Sequence, residues 1–418
     1  MQHLRDTVLI LNHRFLPQGR HAPYLYGVVQ HAVRAADILH LNGGRVAFVL
    51  YRRRDGLRRP RVRPLHVFGR YPAVSLEFHY GMTDAELTDA FRTAIRAAGG
   101  EEGEPSPVVY YQTSAVLPYA PPEFDSLITH HSPFVTHVAE AIGWPAAQQA
   151  FDWDHAKARH LQHVQQRGLD VVRRRERLLC AEISPLQVRR LRAEGVPAGR
   201  VTALAQPLDG AVGRARLPEE LAGLPLSSGL LAVTAVSRLD HFKNVELFVA
   251  GCRLAIENGD LARAVVIGGF PEDAERERLR ASIPRELRER FVFTPRTGRD
   301  ALVGRFFPSL AGKAVFVCSS RFDLVPYTAL EAARSGLCTV VADVGSVGVQ
   351  EMLPEQYRFQ ATPAGLADCL KRLAHDPSGI RDFSGTSAEI RHATSDGAFL
   401  SGFRELCGRF QRSRTSGL

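Results

Sequence analysis

The chain has 418 residues, of which 45% are hydrophobic and 23% charged, a composition typical of a globular protein with more than one domain. Its formal net charge is +9, but the densest basic run, residues 52–63, has no interleaved aromatic side chains, which disfavours a nucleic-acid partner. The sequence shows neither a signal-peptide pattern nor an apolar stretch long enough to cross a membrane. We therefore expect a cytoplasmic protein without a transmembrane segment.

Strand-like apolar runs alternate with helical patterns along the first half. The runs typical of strands cover residues 7–12, 45–51, 108–111, 126–129, 177–181 and 201–205, and the helical patterns cover 24–41, 154–175 and 185–194. Continuous apolar strands separated by helices predict a parallel sheet covered on both faces. We expect residues 1–209 to form one Rossmann-like domain on the acceptor side.

The second half repeats this alternation from residue 229 to residue 395. The stretch 210–228 is rich in Gly, Pro and Ala and is the expected linker, and residues 396–418 are the expected C-terminal helix and tail. The predicted fold is α/β, with two Rossmann-like domains facing each other across a cleft and the last helix packing back on the first domain. Ligands of such sheets bind at the carboxyl ends of the strands.

Two cations follow the first strand of the second half, in the segment Val236-Ser-Arg-Leu-Asp-His-Phe-Lys-Asn244. A diphosphate requires fixed positive charge, which Arg238 supplies as a planar fork of donors and Lys243 as a point charge. Only four lysines occur, at positions 157, 243, 313 and 371, so one at a strand end is informative. A surface Arg and Lys at the start of a helix is the alternative interpretation.

Two acids lie eight residues apart in the segment Cys318-Ser-Ser-Arg-Phe-Asp-Leu-Val-Pro-Tyr-Thr-Ala-Leu-Glu331. Asp323 falls in a loop and Glu331 in the following helix, so both carboxylates can accept hydrogen bonds from sugar and ribose hydroxyls. Tyr327 and Thr328 begin that helix, where backbone N–H groups and the helix dipole attract a phosphate.

These segments, taken in order, resemble the retaining glycosyltransferases of family 4 (glycosyltransferase group 1), which have the GT-B fold. The resemblance covers nearly the whole chain, and also includes Gly268-Gly269, Ser335-Gly336 and Val344–Glu351. It implies that Ser237, Arg238 and Lys243 hold the donor diphosphate, that Glu331 binds the ribose, and that Asp323 faces the transferred sugar.

Two residues of the first half also match that family. His131, in Ile128-Thr-His-His-Ser132, resembles the family's histidine near the reacting centre, although any one of sixteen histidines is as readily structural. Its neighbour His130 is expected to point the other way, because side chains alternate in an extended segment. Gly19 resembles a loop glycine that lets the backbone approach the acceptor or phosphate closely.

The sequence departs from the family at the donor loop. Ser237 replaces a glycine, and Leu324-Val325-Pro326 replaces a glycine-rich triplet. Proline has no N–H, so residue 326 cannot make one backbone contact to the sugar. We expect the aliphatic side chains to narrow the pocket and to select a specialised donor of secondary metabolism.

The resulting hypothesis is transfer of a sugar from a nucleoside diphosphate sugar, UDP- or GDP-linked, to a small-molecule acceptor with retention at the anomeric carbon. We expect no other cofactor and no metal site, because no Asp-x-Asp motif stands at a strand end and the cations can stabilise the leaving diphosphate. A nucleotide-sugar 2-epimerase and a non-catalytic sugar-nucleotide-binding protein are the alternatives.

Overall fold

The computed structural model describes residues 4–15, 27–99, 106–131, 133–150, 155–210, 215–224, 229–269 and 274–415. The chain divides into two compact units. The first comprises Met1–Val135, His155–Asp209 and Thr394–Leu418, and the second comprises Thr136–Asp154 and Gly210–Ala393. The main change of unit therefore falls at residues 209 and 210, at the start of the expected linker.

The described part of the first unit contains an eight-stranded sheet with the order β3-β4-β2-β1-β5-β6-β7-β8. The strands are β1 (Thr7–Asn12), β2 (Val46–Arg53), β3 (Arg61–Phe68), β4 (Tyr71–Phe78), β5 (Val108–Tyr111), β6 (Ser126–Ile128), β7 (Leu178–Glu182) and β8 (Val201–Ala203). All neighbouring pairs are parallel except β3 and β4. The sequence patterns thus predicted the central strands.

Helices cover both faces of this sheet. They are α1 (Gly27–Leu41), α2 (Asp84–Gly99), α5 (His155–Arg174), α6 (Pro185–Ala193) and α16 (Asp396–Thr415). Alternate residues of β1 enter different apolar cores: Val8 and Ile10 pack in one with α2, whereas Leu9 and Leu11 pack in the other with α1. This alternation follows from the two-residue period of a strand.

The C-terminal helix α16 packs in the first unit, as predicted. Its apolar residues Phe399, Phe403 and Phe410 are buried in the same core as α1. At the start of α16, Asp396 forms an ion pair with Arg34 of α1, and its backbone N–H donates to Asp209 Oδ2 at 2.9 Å. These contacts hold helix α16 in the first unit.

The described part of the second unit contains a six-stranded, wholly parallel sheet with the order β11-β10-β9-β12-β13-β14. The strands are β9 (Leu231–Ala235), β10 (Arg263–Ile267), β11 (Phe291–Thr294), β12 (Ala314–Cys318), β13 (Cys338–Ala342) and β14 (Arg358–Phe359). Because β9, β12 and β13 are neighbours in one parallel sheet, the loops that follow them meet at one edge. The predicted α/β fold with two parallel-sheet domains is confirmed.

The remaining helices belong largely to the second unit. They are α3 (Val135–Ile142), α4 (Trp144–Ala150), α7 (Glu219–Ala222), α8 (Val245–Glu257), α9 (Ala274–Ala281), α10 (Arg299–Ala301), α11 (Phe307–Leu310), α12 (Tyr327–Arg334), α13 (Pro363–His375), α14 (Ser378–Arg381) and α15 (Phe383–Ala393). Helices α3 and α4 lie in the first half of the sequence but group with the second unit, which no sequence pattern indicated. Among the described helices, none is long and apolar enough to cross a membrane.

Candidate functional site

The loop after β9, residues 236–244, carries the two predicted cations. The side chain of Arg238 is 63% exposed, and its Nη2 lies 3.0 Å from Oδ2 of Asp240. The other carboxylate oxygen of Asp240 accepts the backbone N–H of Lys243 at 3.1 Å. Ser237 is partly buried on the same loop. Asp240, which the sequence analysis did not select, therefore connects the two cations.

Backbone geometry shapes this edge of the sheet. Asn244, the residue before α8, has a φ of 49°, a left-handed conformation that asparagine tolerates better than most residues. Gly268, at the end of β10, passes so close to the neighbouring strand end that a Cβ there would lie 2.6 Å from the carbonyl oxygen of Val236. The strand ends are thus close-packed, and Gly268 cannot be replaced without a shift of the backbone.

Lys243 and Asp323 form an ion pair, although we expected them to bind different parts of a donor. Their side chains are 22% and 14% exposed. Burial alone would lower the pKa of the Lys243 ammonium, but the Asp323 carboxylate, with smaller contributions from Cys318 and Asp240, raises it by more, and the pKa lies above its ordinary value. The ammonium is therefore charged at neutral pH, and the Asp323 carboxylate partly neutralises it.

Hydrogen bonds join the loops after β9 and β12. Ser319 Oγ donates to the carbonyl oxygen of Lys243 at 3.1 Å, and the N–H of Arg321 donates to the carbonyl oxygen of Phe242 at 2.8 Å. These contacts, like the ion pair, fix the position of the first loop against the second.

The loop after β13 is bonded to the same segment. The N–H of Asp323 donates to the carbonyl oxygen of Ser346 at 3.1 Å, and the carbonyl oxygen of Asp323 accepts the N–H of Gly348 at 2.8 Å. Asp323 and Val347 thus form a short parallel bridge. The backbone of Asp323 is therefore held on one side while its side chain reaches Lys243.

Glu331, in α12, is buried and forms an ion pair with Arg299. Burial raises the pKa of the Glu331 carboxyl above its ordinary value, and the Arg299 guanidinium opposes part of that rise. Arg299 stands in α10, after β11, and the sequence analysis missed it. The only available signal was a Gly-Arg pair after a strand, which is too common to select.

The start of α12 carries the other two predicted binding residues. Pro326 precedes the helix, and Tyr327 and Thr328 are its first two residues, both partly buried. The first N–H groups of an α-helix have no acceptor within the helix and lie at the positive end of its dipole. This helix start lies four residues after Asp323, on the loop bonded to Lys243.

Among the aliphatic residues 324–326, which we expect to narrow the pocket, Leu324 is packed away from solvent. Its side chain is 4% exposed and packs in an apolar cluster with Phe322 and helices α3 and α4, so it is not free to line an open site. An apolar side chain gains free energy by this burial, whereas the glycine expected there would not.

In the first unit, His131 lies three residues after β6 and is partly buried beside the buried side chains of His31 and Gln112. Its Nε2 lies 2.9 Å from Gln112 Oε1, and its ring centroid is 4.8 Å from that of His31. Because the amide oxygen only accepts, His131 Nε2 carries the proton and Nδ1 is an acceptor, with no partner among the described residues. Burial holds the pKa of His131 well below its ordinary value, and the neighbouring imidazoles lower it further.

His130 makes different contacts from His131. Its Nδ1 lies 2.6 Å from Glu182 Oε1, and its backbone N–H donates to Glu182 Oε2 at 3.2 Å. Glu182 is fully buried at the end of β7, so it holds the turn on which His131 stands.

His130, Glu182 and Cys180 form a group whose potential ligand atoms lie within 4.8 Å of one another, close enough for a metal ion. Burial raises the pKa of the Cys180 thiol, which disfavours the thiolate that a metal prefers.

Gly19, the loop glycine selected from the sequence, lies outside the described residues.

A comparison with protein families found a match to part of the second unit. Residues 231–376 match the family model described as "Glycosyl transferases group 1". This match spans β9, α8, β12, α12 and β13, and therefore contains the site of Arg238, Lys243, Asp323 and Glu331. No curated protein matches the chain.

Solved structures resemble the chain over nearly its whole length. Sucrose-phosphate synthase from Thermosynechococcus elongatus is 15% identical, with a TM-score of 0.63 over 99% of this chain and 100% of the other. Anabaena HepE in complex with UDP is 12% identical, with a TM-score of 0.65 over 96% and 100%. The structure "Trehalose-6-phosphate from E. coli bound with UDP-2-fluoro glucose" is 11% identical, with a TM-score of 0.62 over 95% and 99%. These likenesses and the family match confirm the GT-B fold and the resemblance to group 1 glycosyltransferases.

Proposed function

We propose, from the match of residues 231–376 to a group 1 glycosyltransferase family model, that this chain is a retaining glycosyltransferase that moves a sugar from a nucleoside diphosphate sugar to a small-molecule acceptor. The observation that carries the proposal is the meeting of Arg238, Lys243, Asp323 and the start of α12 at the carboxyl edge of one parallel sheet. That edge is where such sheets bind their ligands. We place the reaction in the cytoplasm.

The diphosphate of the donor is assigned to Arg238, Lys243 and the start of α12. Arg238 is exposed and can turn its planar guanidinium toward a phosphate, whereas Lys243 is anchored by Asp323. The N–H groups of Tyr327 and Thr328 add hydrogen bonds and the helix dipole. As the bond to the sugar breaks, the diphosphate gains negative charge, and these positive groups stabilise it electrostatically. No metal ion is assigned to this step.

Glu331 is assigned to the ribose and Asp323 to the transferred sugar. Arg299 pairs with the buried Glu331 carboxylate and opposes the effect of burial on it, and the carboxyl oxygens can accept hydrogen bonds from two adjacent hydroxyls. Among the solved relatives, HepE was determined with UDP and the E. coli structure with UDP-2-fluoro glucose. UDP is therefore the first nucleotide to test and GDP the second, and secondary metabolism is where we expect the acceptor.

His131 is assigned to the reacting centre as a neutral acceptor. Gln112 fixes the tautomer in which Nε2 carries the proton, which leaves the Nδ1 lone pair for a sugar or acceptor hydroxyl. A histidine whose pKa lies well below its ordinary value stays neutral at physiological pH, so this lone pair remains available as an acceptor.

Retention at the anomeric carbon is assigned to front-face attack. Double displacement requires a carboxylate free to attack the sugar, but Asp323 and Glu331 are each paired with a cation. Attack on the same face as the departing diphosphate needs no such nucleophile.

The test is an assay of nucleoside diphosphate release from UDP-glucose and GDP-mannose, with and without a panel of small alcohol, phenol and amine acceptors. The proposal predicts release that depends on the acceptor, and a product whose NMR coupling constant shows the anomeric configuration of the donor. Conversion of the donor to its 2-epimer without acceptor would indicate an epimerase. Binding without turnover of any donor would indicate a non-catalytic protein. An inverted product would overturn the assignment of retention.

A further inference from the structure

A separate apolar cluster joins helices α3 and α4 to the loops of the donor site. Its fully buried residues come both from these helices and from the loop after β12, and partly buried residues pack against them. The cluster, here called the α3–α4 cluster, consists of Val138, Ala147, Phe322 and Leu324, with Ala139, Ile142, Phe242 and Val325 packed against it. All of these residues belong to the second unit.

The cluster residues stand beside the charged residues of the site. Phe322 and Leu324, which are 3% and 4% exposed, flank Asp323 on both sides in the sequence. Phe242 precedes Lys243, and its ring lies 6.4 Å from that of Phe322, in an edge-to-face arrangement. In an extended segment, side chains alternate, so burial of residues 322 and 324 directs the side chain of Asp323 away from the cluster.

Apolar residues at positions 324 and 325 stabilise the loop in a way that glycines at these positions could not. A glycine-rich loop gains no free energy from apolar burial and loses the most conformational entropy when it is ordered. Here Leu324 and Val325 pack against α3 and α4, while the N–H and carbonyl groups of Asp323 are bonded to the loop after β13. The loop is therefore held from two sides.

We propose that α3 and α4 are positioning elements of the donor site: through the α3–α4 cluster they fix the two loops on which Lys243 and Asp323 stand. Val138 is then a positioning residue, remote in sequence from the donor loops, that acts through Phe322 and Leu324. This inference rests on the proposed function only for what Lys243 and Asp323 bind. The order imposed on the loops can be measured without a donor.

The test is Val138→Ala, which removes two methyl groups from a side chain that is fully buried. Val188→Ala is the matched control, since Val188 is buried in α6 of the first unit. Hydrogen exchange of peptides covering residues 317–325 should be roughly tenfold faster in Val138→Ala and unchanged in Val188→Ala, because a cavity beside the loop favours its local opening. Leu324→Val, a smaller change within the loop, should give the same effect to a lesser degree.

A second readout compares a loosened loop with a lost side chain. If UDP-glucose is turned over, Val138→Ala should lower kcat by about tenfold and weaken UDP binding by less than Lys243→Ala does, because the loops are less ordered while the side chains of Lys243 and Asp323 remain. Exchange that is unchanged in both Val138→Ala and Leu324→Val, or faster to the same degree in Val188→Ala, would overturn the inference. A wild-type chain that binds no nucleoside diphosphate would refute the proposed function instead, and the exchange result would still stand.

Discussion

The ammonium of Lys243 and the carboxylate of Asp323 form an ion pair that joins the loops after β9 and β12. The Lys243 side chain thus has an acid partner before any donor is bound. A diphosphate that binds there competes with Asp323 for the same ammonium. Its affinity therefore reflects a difference between two ionic contacts rather than the full strength of one.

Lys243→Ala should weaken UDP binding about tenfold to a hundredfold, because it removes a charge-assisted contact to the diphosphate and leaves Asp323 as an uncompensated negative charge nearby. Isothermal titration calorimetry on the folded variant measures this. Lys371→Ala, which removes an exposed lysine on α13, is the control and should leave the affinity unchanged. Equal affinities in Lys243→Ala and the wild type would remove Lys243 from the diphosphate site.

Asp323→Asn and Glu331→Gln should affect different properties, turnover in the first variant and nucleotide binding in the second. With Asp323→Asn, the affinity for UDP should stay the same or rise a few fold, since Lys243 loses its competing partner, whereas turnover of the full donor should fall at least about tenfold. With Glu331→Gln, UDP and the full donor should both bind more weakly, by a similar factor. Binding of UDP and steady-state turnover, measured on both variants, decide between the roles. Normal turnover of Asp323→Asn would show that Asp323 is a structural partner of Lys243 and does not act on the sugar.

The sequence was sufficient to predict the strands and helices that position this site, because parallel strands are continuous apolar runs and Arg238, Lys243, Asp323 and Glu331 follow them in a recognisable order. It was not sufficient to predict their partners. Arg299 lies 32 residues before Glu331, and Lys243 lies 80 residues before Asp323. Such pairs depend on which strands are neighbours in the sheet, and local sequence patterns carry no information about that.

The same limit applies to Leu324 and to helices α3 and α4. A short aliphatic run in a loop indicates either a lined pocket or a buried contact, and only the tertiary structure distinguishes them. Helices α3 and α4 group with the second unit and provide the apolar surface against which Leu324 packs. Neither helix was predicted from the sequence, and no local pattern indicated which unit they join.

His31 should make the protein less stable in mild acid. Burial lowers the pKa of His31 from 6.5 to about 4, so the unfolded chain binds a proton at a higher pH than the folded chain. Stability is then complete above pH 6.5 and is lost as the pH falls toward 4, with a loss of about 2 kcal/mol between pH 7 and pH 5. Urea unfolding at both pH values measures the difference. His31→Gln should reduce this difference and His392→Gln, at an exposed site on α15, should not; an equal loss in wild type and His31→Gln would contradict the assignment.

Transfer should continue in excess EDTA. In the proposed reaction, Arg238, Lys243 and the start of α12 supply the positive charge that the leaving diphosphate requires, so a divalent metal is not needed. Initial rates with and without EDTA, on enzyme dialysed against the chelator, should agree within about twofold. Activity lost in EDTA and restored by Mn²⁺ or Mg²⁺ would show that a metal ion carries that charge.

The central claim is that the second unit binds a nucleoside diphosphate through the loops after β9 and β12, and a thermal-shift series tests it most directly. Wild type, Lys243→Ala, Glu331→Gln and Lys371→Ala are heated with UDP, GDP, dTDP and ADP. A ligand at a hundred times its dissociation constant stabilises the folded state by about 2.7 kcal/mol, which is readily detected. We predict that one diphosphate, UDP or GDP, raises the Tm of the wild type and Lys371→Ala, and that this rise is reduced or lost in Lys243→Ala and Glu331→Gln. No rise with any of the four, or an undiminished rise in Lys243→Ala and Glu331→Gln, would contradict the claim.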